Sequence, residues 1–301
     1  MKPAKLIILI AVTLAFVSIF YWALFVPKED ISTRIYRTLK EQETRADLGF
    51  KKVTFEEVLA GQKFWQLQAE TAIVNKDTGL ASLQTTKGTF YKNGKASLNF
   101  ISPAALWDMK KKEIFLDKPL GYDSAYKNII HTLPRASNVS TFTFPKDKPG
   151  YWFQAKNLSW KLADQLITCA GGIVLNKGEV SGRADSLKGD VEFKKVELFG
   201  NPRILVTLAD KSLITIEARS VEFYSRENQF KLNNNVKITG STFTAKGDNA
   251  VYLIKDESIV IIGNARGTQG DSTLSSKKIK VSIKDQKLEL LGKSKVLVNE
   301  L

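Results

Sequence analysis

Residues 214–267 read ITIEARSVEFYSRENQFKLNNNVKITGSTFTAKGDNAVYLIKDESIVIIGNARG, and this stretch decides the fold. Apolar and polar residues alternate in short runs, and Asn, Asp or Gly residues separate the runs, which is typical of antiparallel strands joined by turns. A small residue recurs inside the runs, at Ala218 and again at Ala245, and a second strand follows each of them. The stretch therefore predicts pairs of short strands and no helix.

The same unit extends over most of the chain. It occurs seven times, with its small residue at Ala69, Ser102, Ala155, Gly182, Ala218, Ala245 and Ser276. Successive copies lie about 30 residues apart, except after Ser102, and a period of this length indicates stacked strand pairs that bury a shared apolar face. We therefore predict an all-β fold, an open twisted β-jellyroll built from repeated strand pairs.

An uncharged apolar run precedes these repeats. Leu6 to Val26 reads LIILIAVTLAFVSIFYWALFV, and about 20 helical residues span the roughly 30 Å hydrocarbon core of a bilayer. No A-x-A-like pair of small residues stands at its end, so we favour an uncleaved transmembrane helix over a signal peptide. Lys and Arg residues lie on both sides of the run, and their distribution leaves the orientation open.

The chain divides into three consecutive parts on these grounds. They are a transmembrane anchor at 1–27, a juxtamembrane helix or stalk at 28–50, and β-jellyroll repeats at 51–301. Ile31 and Ile35 stand at helical spacing in the second part, with charged residues around them. An irregular insertion with three prolines, near 126–150, interrupts the repeats.

Composition limits the partners. The formal net charge is +14, which suits an anionic partner such as nucleic acid, phospholipid headgroups or a phosphorylated glycolipid, although lysines on a solvated strand face explain it equally well. The apolar anchor and the absence of any nucleic-acid-binding motif speak against nucleic acid. We expect a membrane protein that binds no nucleic acid.

The sequence contains no recognisable catalytic or metal-binding pattern. The single histidine, His131, lies in the insertion, and the single cysteine, Cys169, lies in the apolar stretch LITCAGGIVL. One His and one distant Cys provide neither a metal site nor a nucleophile with its base. We therefore expect no enzyme activity, no cofactor and no metal.

Strand alternation selects a set of residues that point to one side of the sheet. These candidates for an apolar lipid groove are Trp65, Leu67, Phe90, Phe100, Leu106, Phe115, Ile216, Phe243, Tyr252 and Ile261, with Leu290 beside them. The alternative for each of them is an ordinary packed core. The groove interpretation depends on the repetition, the anchor and the basic composition occurring together.

An open roll leaves its first and last strands without a neighbour on one side. Val53 and Phe55 lie in the expected first strand, and Val296 and Val298 lie in the last. Unpaired edges of this kind accept a further strand from a partner. We therefore expect partners to dock at these residues.

Two stretches resemble known proteins of lipopolysaccharide export. The anchor together with VTFEEVLAGQKFWQLQAETAIVNKDTGLASLQ and KASLNFISPAALWDMKKKEIFL resembles the LptC-type periplasmic component, and residues 214–267 resemble the OstA/LptA-type bridge repeats. The chain is longer than a usual LptC-type protein, which has one compact jellyroll after the anchor. The resemblance implies a single-pass inner-membrane protein with its jellyroll in the periplasm.

The resemblance also implies a function. Lipopolysaccharide would pass from the subunits of an inner-membrane ABC transporter to this protein, and then to a periplasmic bridge protein of the same fold that leads to the outer membrane. The alternative is a membrane-tethered envelope adaptor or scaffold that docks the β-edges of its partners without carrying lipid. A carrier needs a wide apolar interior, whereas an adaptor can be packed solid.

Overall fold

A computed structural model describes residues 31–43, 48–123 and 150–298 of the protein. These residues form one α-helix, α1 (Ile31–Glu43), and 18 strands in a single sheet. The strands are β1 (Leu48–Leu59), β2 (Gln62–Asn75), β3 (Leu80–Lys92), β4 (Lys95–Asp108), β5 (Glu113–Asp117), β6 (Leu120–Tyr122), β7 (Tyr151–Lys161), β8 (Leu166–Lys177), β9 (Val180–Asp190), β10 (Lys195–Phe199), β11 (Arg203–Thr207), β12 (Leu213–Glu217), β13 (Ser220–Tyr224), β14 (Gln229–Thr239), β15 (Phe243–Leu253), β16 (Ser258–Gln269), β17 (Ser272–Ser282) and β18 (Lys287–Val298).

The strands follow one another as an antiparallel meander. Each long strand pairs with the next along the chain, and β5 with β6, β10 with β11, and β12 with β13 act as the two halves of single long strands. The turn between β3 and β4 contains Asn93 and Gly94, both with positive φ (52° and 73°), as a type I′ hairpin requires. Within the described residues, β1 pairs only with β2 and β18 only with β17, so these two strands are the edges. The all-β prediction is confirmed.

A line of bulges crosses the sheet, and we name it the seam. The strand register shifts at Lys156, Gly171–Gly172, Asn234–Asn235, Gly263–Asn264 and Lys277. At the same height the pairing of β2 with β3 skips Glu70 without a shift. Several of these residues have positive φ, which Gly and Asn adopt at little cost. Bulges bend a strand, and a row of them at one height bends the whole sheet.

The seam divides the sheet into two facing layers. Aromatic rings from strands that are not hydrogen-bonded neighbours meet between the layers, with centroids 4.9 Å apart for Trp65 and Trp107 and 5.4 Å apart for Phe90 and Trp160. One buried apolar cluster runs between the layers from β2 to β17. This arrangement agrees with the expected open jellyroll, whose interior is the space between the layers.

The seam also changes which residues point inward. Trp65, Leu67 and Ala69 are buried, but the next buried residue of β2 is Ala72. Strict alternation would place Thr71 and Ile73 on the face of Trp65, but the buried phase changes between Ala69 and Ala72. The pairing of β2 with β3 keeps one register there and, within β2, skips only Glu70.

Helix α1 packs on the outer face of the sheet. Ile35 is fully buried against Ala104, Leu106 and Phe115, with Leu80 partly buried beside them. A juxtamembrane helix or stalk was expected over 28–50. The helix in this segment packs against the jellyroll, and β1 begins at Leu48, inside the same segment.

Two expectations concern residues outside the described part of the chain. The anchor, Leu6 to Val26, and His131 with almost all of the insertion near 126–150 belong there. Among the described residues, no helix is long and apolar enough to cross a bilayer.

Candidate functional site

The interior between the two layers contains most of the predicted groove residues. Eight of them belong to the single core cluster, and they are between 0% and 4% exposed: Trp65, Leu67, Phe90, Phe100, Ile216, Phe243, Tyr252 and Ile261. Leu290 packs against this cluster as a partly buried residue. The repeat thus brings residues from β2 to β16 into one apolar environment.

Leu106 and Phe115 do not belong to this interior. Their side chains lie on the outer face of the sheet, in the separate cluster beneath α1. Their neighbours Ala105, Ile114 and Leu116 point into the interior instead. Both faces of β4 and β5 are apolar here, because the helix covers one of them, so alternation alone selected the wrong phase.

Sequence reasoning missed the aromatic residues that join the two layers. Tyr151 and Phe153 stack on Phe193, with centroids 4.8 and 5.1 Å away. Phe223 stacks on Phe230, its partner on the neighbouring strand, within one layer. The alternating phase of β7 could have identified Phe153, whereas Phe193 lies in a turn and gives no periodic signal. The buried indole N–H groups of Trp107 and Trp160 have no hydrogen-bond partner in the described part of the chain.

The layers are closed against each other in this structure. A cavity of about 20 Å³ remains between β8, β9 and β14, with Tyr151, Leu175, Phe193 and Phe230 in its wall. This is roughly the space of one water molecule and far below the several hundred Å³ of a typical ligand site. A lipid chain enters this part of the interior only if the layers separate.

We name the gap between the two rows of turns the mouth. Polar links cross it. Lys92 at the β3–β4 turn donates to Gln165 at the β7–β8 turn, and Ser241 donates through its hydroxyl to Gln286 over 2.6 Å. Between them, the Lys177 Nζ donates to the Asn228 Oδ1 over 3.0 Å. Each link joins one layer to the other at the side opposite the seam.

Lys177 stands apart among the residues of these links. Its ammonium lies 5.1 Å from the centroid of the Phe223 ring, and burial lowers its pKa from the usual lysine value. A smaller opposite contribution comes from the negative charge of Asp123. No sequence pattern pointed to Lys177, since its environment depends on contacts between distant strands.

Both edge strands carry apolar side chains on their inner side, partly buried at β1 and exposed at β18. Val53 pairs with Ala69 and Phe55 with Leu67, and Phe55 lies 5.6 Å from Trp107. At the other edge Val296 pairs with the inward Leu274, and Val296 and Val298 are 51% and 65% exposed. The predicted edge residues therefore lie where the apolar interior reaches each end of the roll.

The described residues offer little chemistry for catalysis. They contain no group of three His, Cys, Asp or Glu side chains placed to hold a metal ion. Cys169 is completely buried, and burial raises the pKa of its thiol far above the usual value, so the reactive thiolate does not form there at neutral pH.

A family model matches part of the chain. Residues 154–287 match the model of the family described as LptA/(LptD N-terminal domain) LPS transport protein. No curated protein matches the chain. Among solved structures, the crystal structure of LptH from Pseudomonas aeruginosa, described as the LptA homologous periplasmic component of the lipopolysaccharide transport device, aligns with 12% identity and a TM-score of 0.27. That alignment covers 50% of this chain and 95% of LptH.

Proposed function

We propose that the protein transfers lipopolysaccharide without altering it chemically. In this proposal it receives the lipid from the subunits of an inner-membrane ABC transporter and passes it to a periplasmic bridge of the same fold that leads to the outer membrane. The family match over residues 154–287 carries the proposal. The matched residues form most of β7 to β17, which supply more than half of the apolar interior.

The interior has the chemistry that an acyl chain needs. Removing a methylene group from water gains about 0.8 kcal/mol, so a lipid passes through an aqueous space only if apolar surface covers its chains throughout. The core cluster runs without interruption from β2 to β17 and provides such a surface once the layers part.

Under this proposal, the apolar run Leu6 to Val26 determines the cellular localisation of the protein. It anchors the chain in the inner membrane as a single span, and the jellyroll lies in the periplasm. The edge at β1 then faces the transporter, and the edge at β18 faces the bridge.

Photo-crosslinking in cells tests the transfer. A photoreactive residue at Phe243 or Tyr252 is expected to form adducts with lipopolysaccharide, because both side chains point into the interior. Thr244 and Val251, their neighbours on the outer face of β15, are the matched controls and should give none. Leu106, beneath α1, should also give none. Adducts from Thr244 and Val251 alone would reject the interior as the lipid path.

The close packing of the interior favours a second candidate, the envelope adaptor that carries no lipid. Eight of the groove candidates are almost completely buried, as a solid core requires. Charge placed at Phe243 distinguishes the two functions. A carrier with Phe243→Asp should lose transfer more than it loses folded protein, whereas an adaptor should lose both together, since charge in a packed core costs several kcal/mol.

A further inference from the structure

The link between Lys177 and Asn228 closes the mouth over the apolar interior. Lys177 ends β8 in one layer, and Asn228 lies in the turn between β13 and β14 in the other. The 3.0 Å hydrogen bond between them therefore has to break before the layers part at this point.

The charge of Lys177 is poorly compensated. Among the described residues Lys177 forms no ion pair, although other lysines of the sheet do: Lys195 lies 2.6 Å from Glu197 and Lys161 lies 2.8 Å from Glu113. The acceptor that Lys177 does contact, the Asn228 amide, is neutral. Asp123 contributes negative charge without forming an ion pair with Lys177. Partial burial of the ammonium therefore still costs free energy, which an anion in direct contact would recover.

Apolar space begins directly beneath this cation. Lys177 lines the 20 Å³ cavity together with Val180, Gly182, Leu198 and Phe223, which come from both layers. A methyl group added at Gly182 would meet no atom closer than the Leu198 Cδ1 at 3.6 Å, so the wall is not tightly packed there. One cation at the rim and aromatic or aliphatic walls below it match an amphiphile with an anionic head.

We propose that Lys177 binds the phosphate or carboxylate head of an amphiphile whose alkyl chain enters between the layers at Phe223. The head takes the place of the Asn228 amide as the acceptor of the Lys177 hydrogen bond, and the mouth opens as it does so. This site rests on the proposed function, because it assigns a headgroup contact and an entry point to the same interior. A phosphate monoester on a lipid and free inorganic phosphate share the head chemistry, and the chain distinguishes them.

Calorimetric titration of the full chain, held in an amphipathic polymer with the polymer alone as blank, tests the site. The probes are octyl phosphate, octyl glucoside and inorganic phosphate, each below its micellar concentration. Octyl phosphate is expected to bind at least about tenfold more tightly than octyl glucoside, because its charged head forms a charge-assisted hydrogen bond with Lys177 and the neutral sugar does not. Inorganic phosphate should bind more weakly than octyl phosphate, because it lacks a chain.

Substitutions test whether Lys177 causes the preference for octyl phosphate. Lys177→Met keeps the apolar stem but breaks the same link. It should abolish the preference for octyl phosphate and tighten octyl glucoside binding as much as Asn228→Gly does, and Lys177→Arg should restore the preference. Asn228→Gly suits the positive φ of 47° and should strengthen binding of both amphiphiles by removing the link. Lys246→Met, on the exposed outer face of β15, is the matched control and should change nothing.

The site is overturned if the preference for octyl phosphate persists in Lys177→Met. It is also overturned if the unaltered protein shows no such preference. Equally tight binding of inorganic phosphate overturns it as well, because the alkyl chain then contributes nothing. None of these results affects crosslinking of lipopolysaccharide from Phe243, so failure of the head site and failure of the proposed transfer remain distinguishable.

Discussion

Asp117 holds helix α1 on the outer face of the sheet. Its carboxylate is fully buried and accepts hydrogen bonds from the Ser32 hydroxyl at 2.5 Å and the Tyr36 hydroxyl at 3.1 Å. The Ser32 Oγ also lies 2.9 Å from the Oδ1 of the Asn157 side-chain amide. A short polar cluster thus adds to the small apolar contact around Ile35.

Asp117→Ala should loosen α1. The substitution leaves two hydroxyl groups without their acceptor, and losing hydrogen bonds to a buried charged group costs about 1–3 kcal/mol. Hydrogen–deuterium exchange of residues 31–43 should become faster, while exchange in β14 to β17 should not change. Tyr36→Phe, which removes one of the bonds, is the control and should have a smaller effect. Unchanged protection of α1 in the Ala variant would contradict the assignment.

Tyr36 makes the docking of α1 dependent on pH. Burial, and then the charge of Asp117, raise the pKa of its hydroxyl above 10.0, the ordinary value for tyrosine. A raised pKa means that the docked state favours the protonated form, so docking is constant below pH 10 and weakens as the pH rises further. A spin label at the exposed Thr33 should gain mobility above that pH, and Tyr36→Phe should remove this part of the response. A label that stays equally immobile up to pH 11 would exclude the effect.

Individual residues also show what could be predicted from sequence. The alternation around Trp65, Phe90 and Phe243 placed them correctly, because each lies within one strand half with one apolar face. Leu106 and Phe115 were misplaced because α1 buries their face too, and nothing local in β4 or β5 reveals a helix from another part of the chain. Lys177 could not be found for the same reason.

At the scale of strands, the recurring small residues of the sequence repeat lie next to the seam. Ala155 and Ser276, recognised as recurring small residues, each directly precede a register shift, and Ala69 directly precedes Glu70, which the pairing of β2 with β3 skips. The repeat therefore predicted strand pairs correctly. It did not reveal the bend, since a small residue in an alternating run is also compatible with a straight strand.

Gly172→Ala should destabilise the seam through the backbone alone. Gly172 has φ +91°, and a methyl group there would meet no atom within 4 Å. The cost of left-handed backbone for an L-residue is about 1–2 kcal/mol, and urea unfolding should show it. Gly49→Ala is the matched control, because it also has free space but no positive φ, and it should stabilise slightly. Equal effects of the two substitutions would show that the seam is not strained.

The last strand, β18, should be the docking edge for a same-fold partner. Val296 faces the inner side and Leu297 the outer side, yet both are 51% exposed. Deletion of residues 294–301 should abolish binding of a purified bridge protein in a sedimentation assay. Val296→Asp should weaken binding more than Leu297→Asp, because a partner that extends the sheet continues the apolar interior and not the outer face. Binding at unchanged affinity by a folded truncated protein would exclude this edge.

At the scale of the whole molecule, the proposal predicts an uncleaved span and an exported jellyroll. A reporter fused after Leu301 should be active only if it requires export, and N-terminal sequencing of the mature protein should find Leu6 to Val26 still attached. A mature N-terminus beyond Val26 would remove the anchor, and activity of a reporter that functions only in the cytoplasm would reverse the orientation.

The free-energy cost of opening the mouth is distributed over the three links described above. Lys92, Lys177 and Gln286 hold the layers together at different points along the sheet, so parting one link leaves the other two engaged. A long cargo can then advance stepwise along the mouth: the link ahead of it breaks while the link behind it re-forms. The cost at any moment is that of one link, on the order of 1–3 kcal/mol, which thermal motion supplies. The direction of transport along the interior is then set by loading of the lipid at one end and its removal at the other.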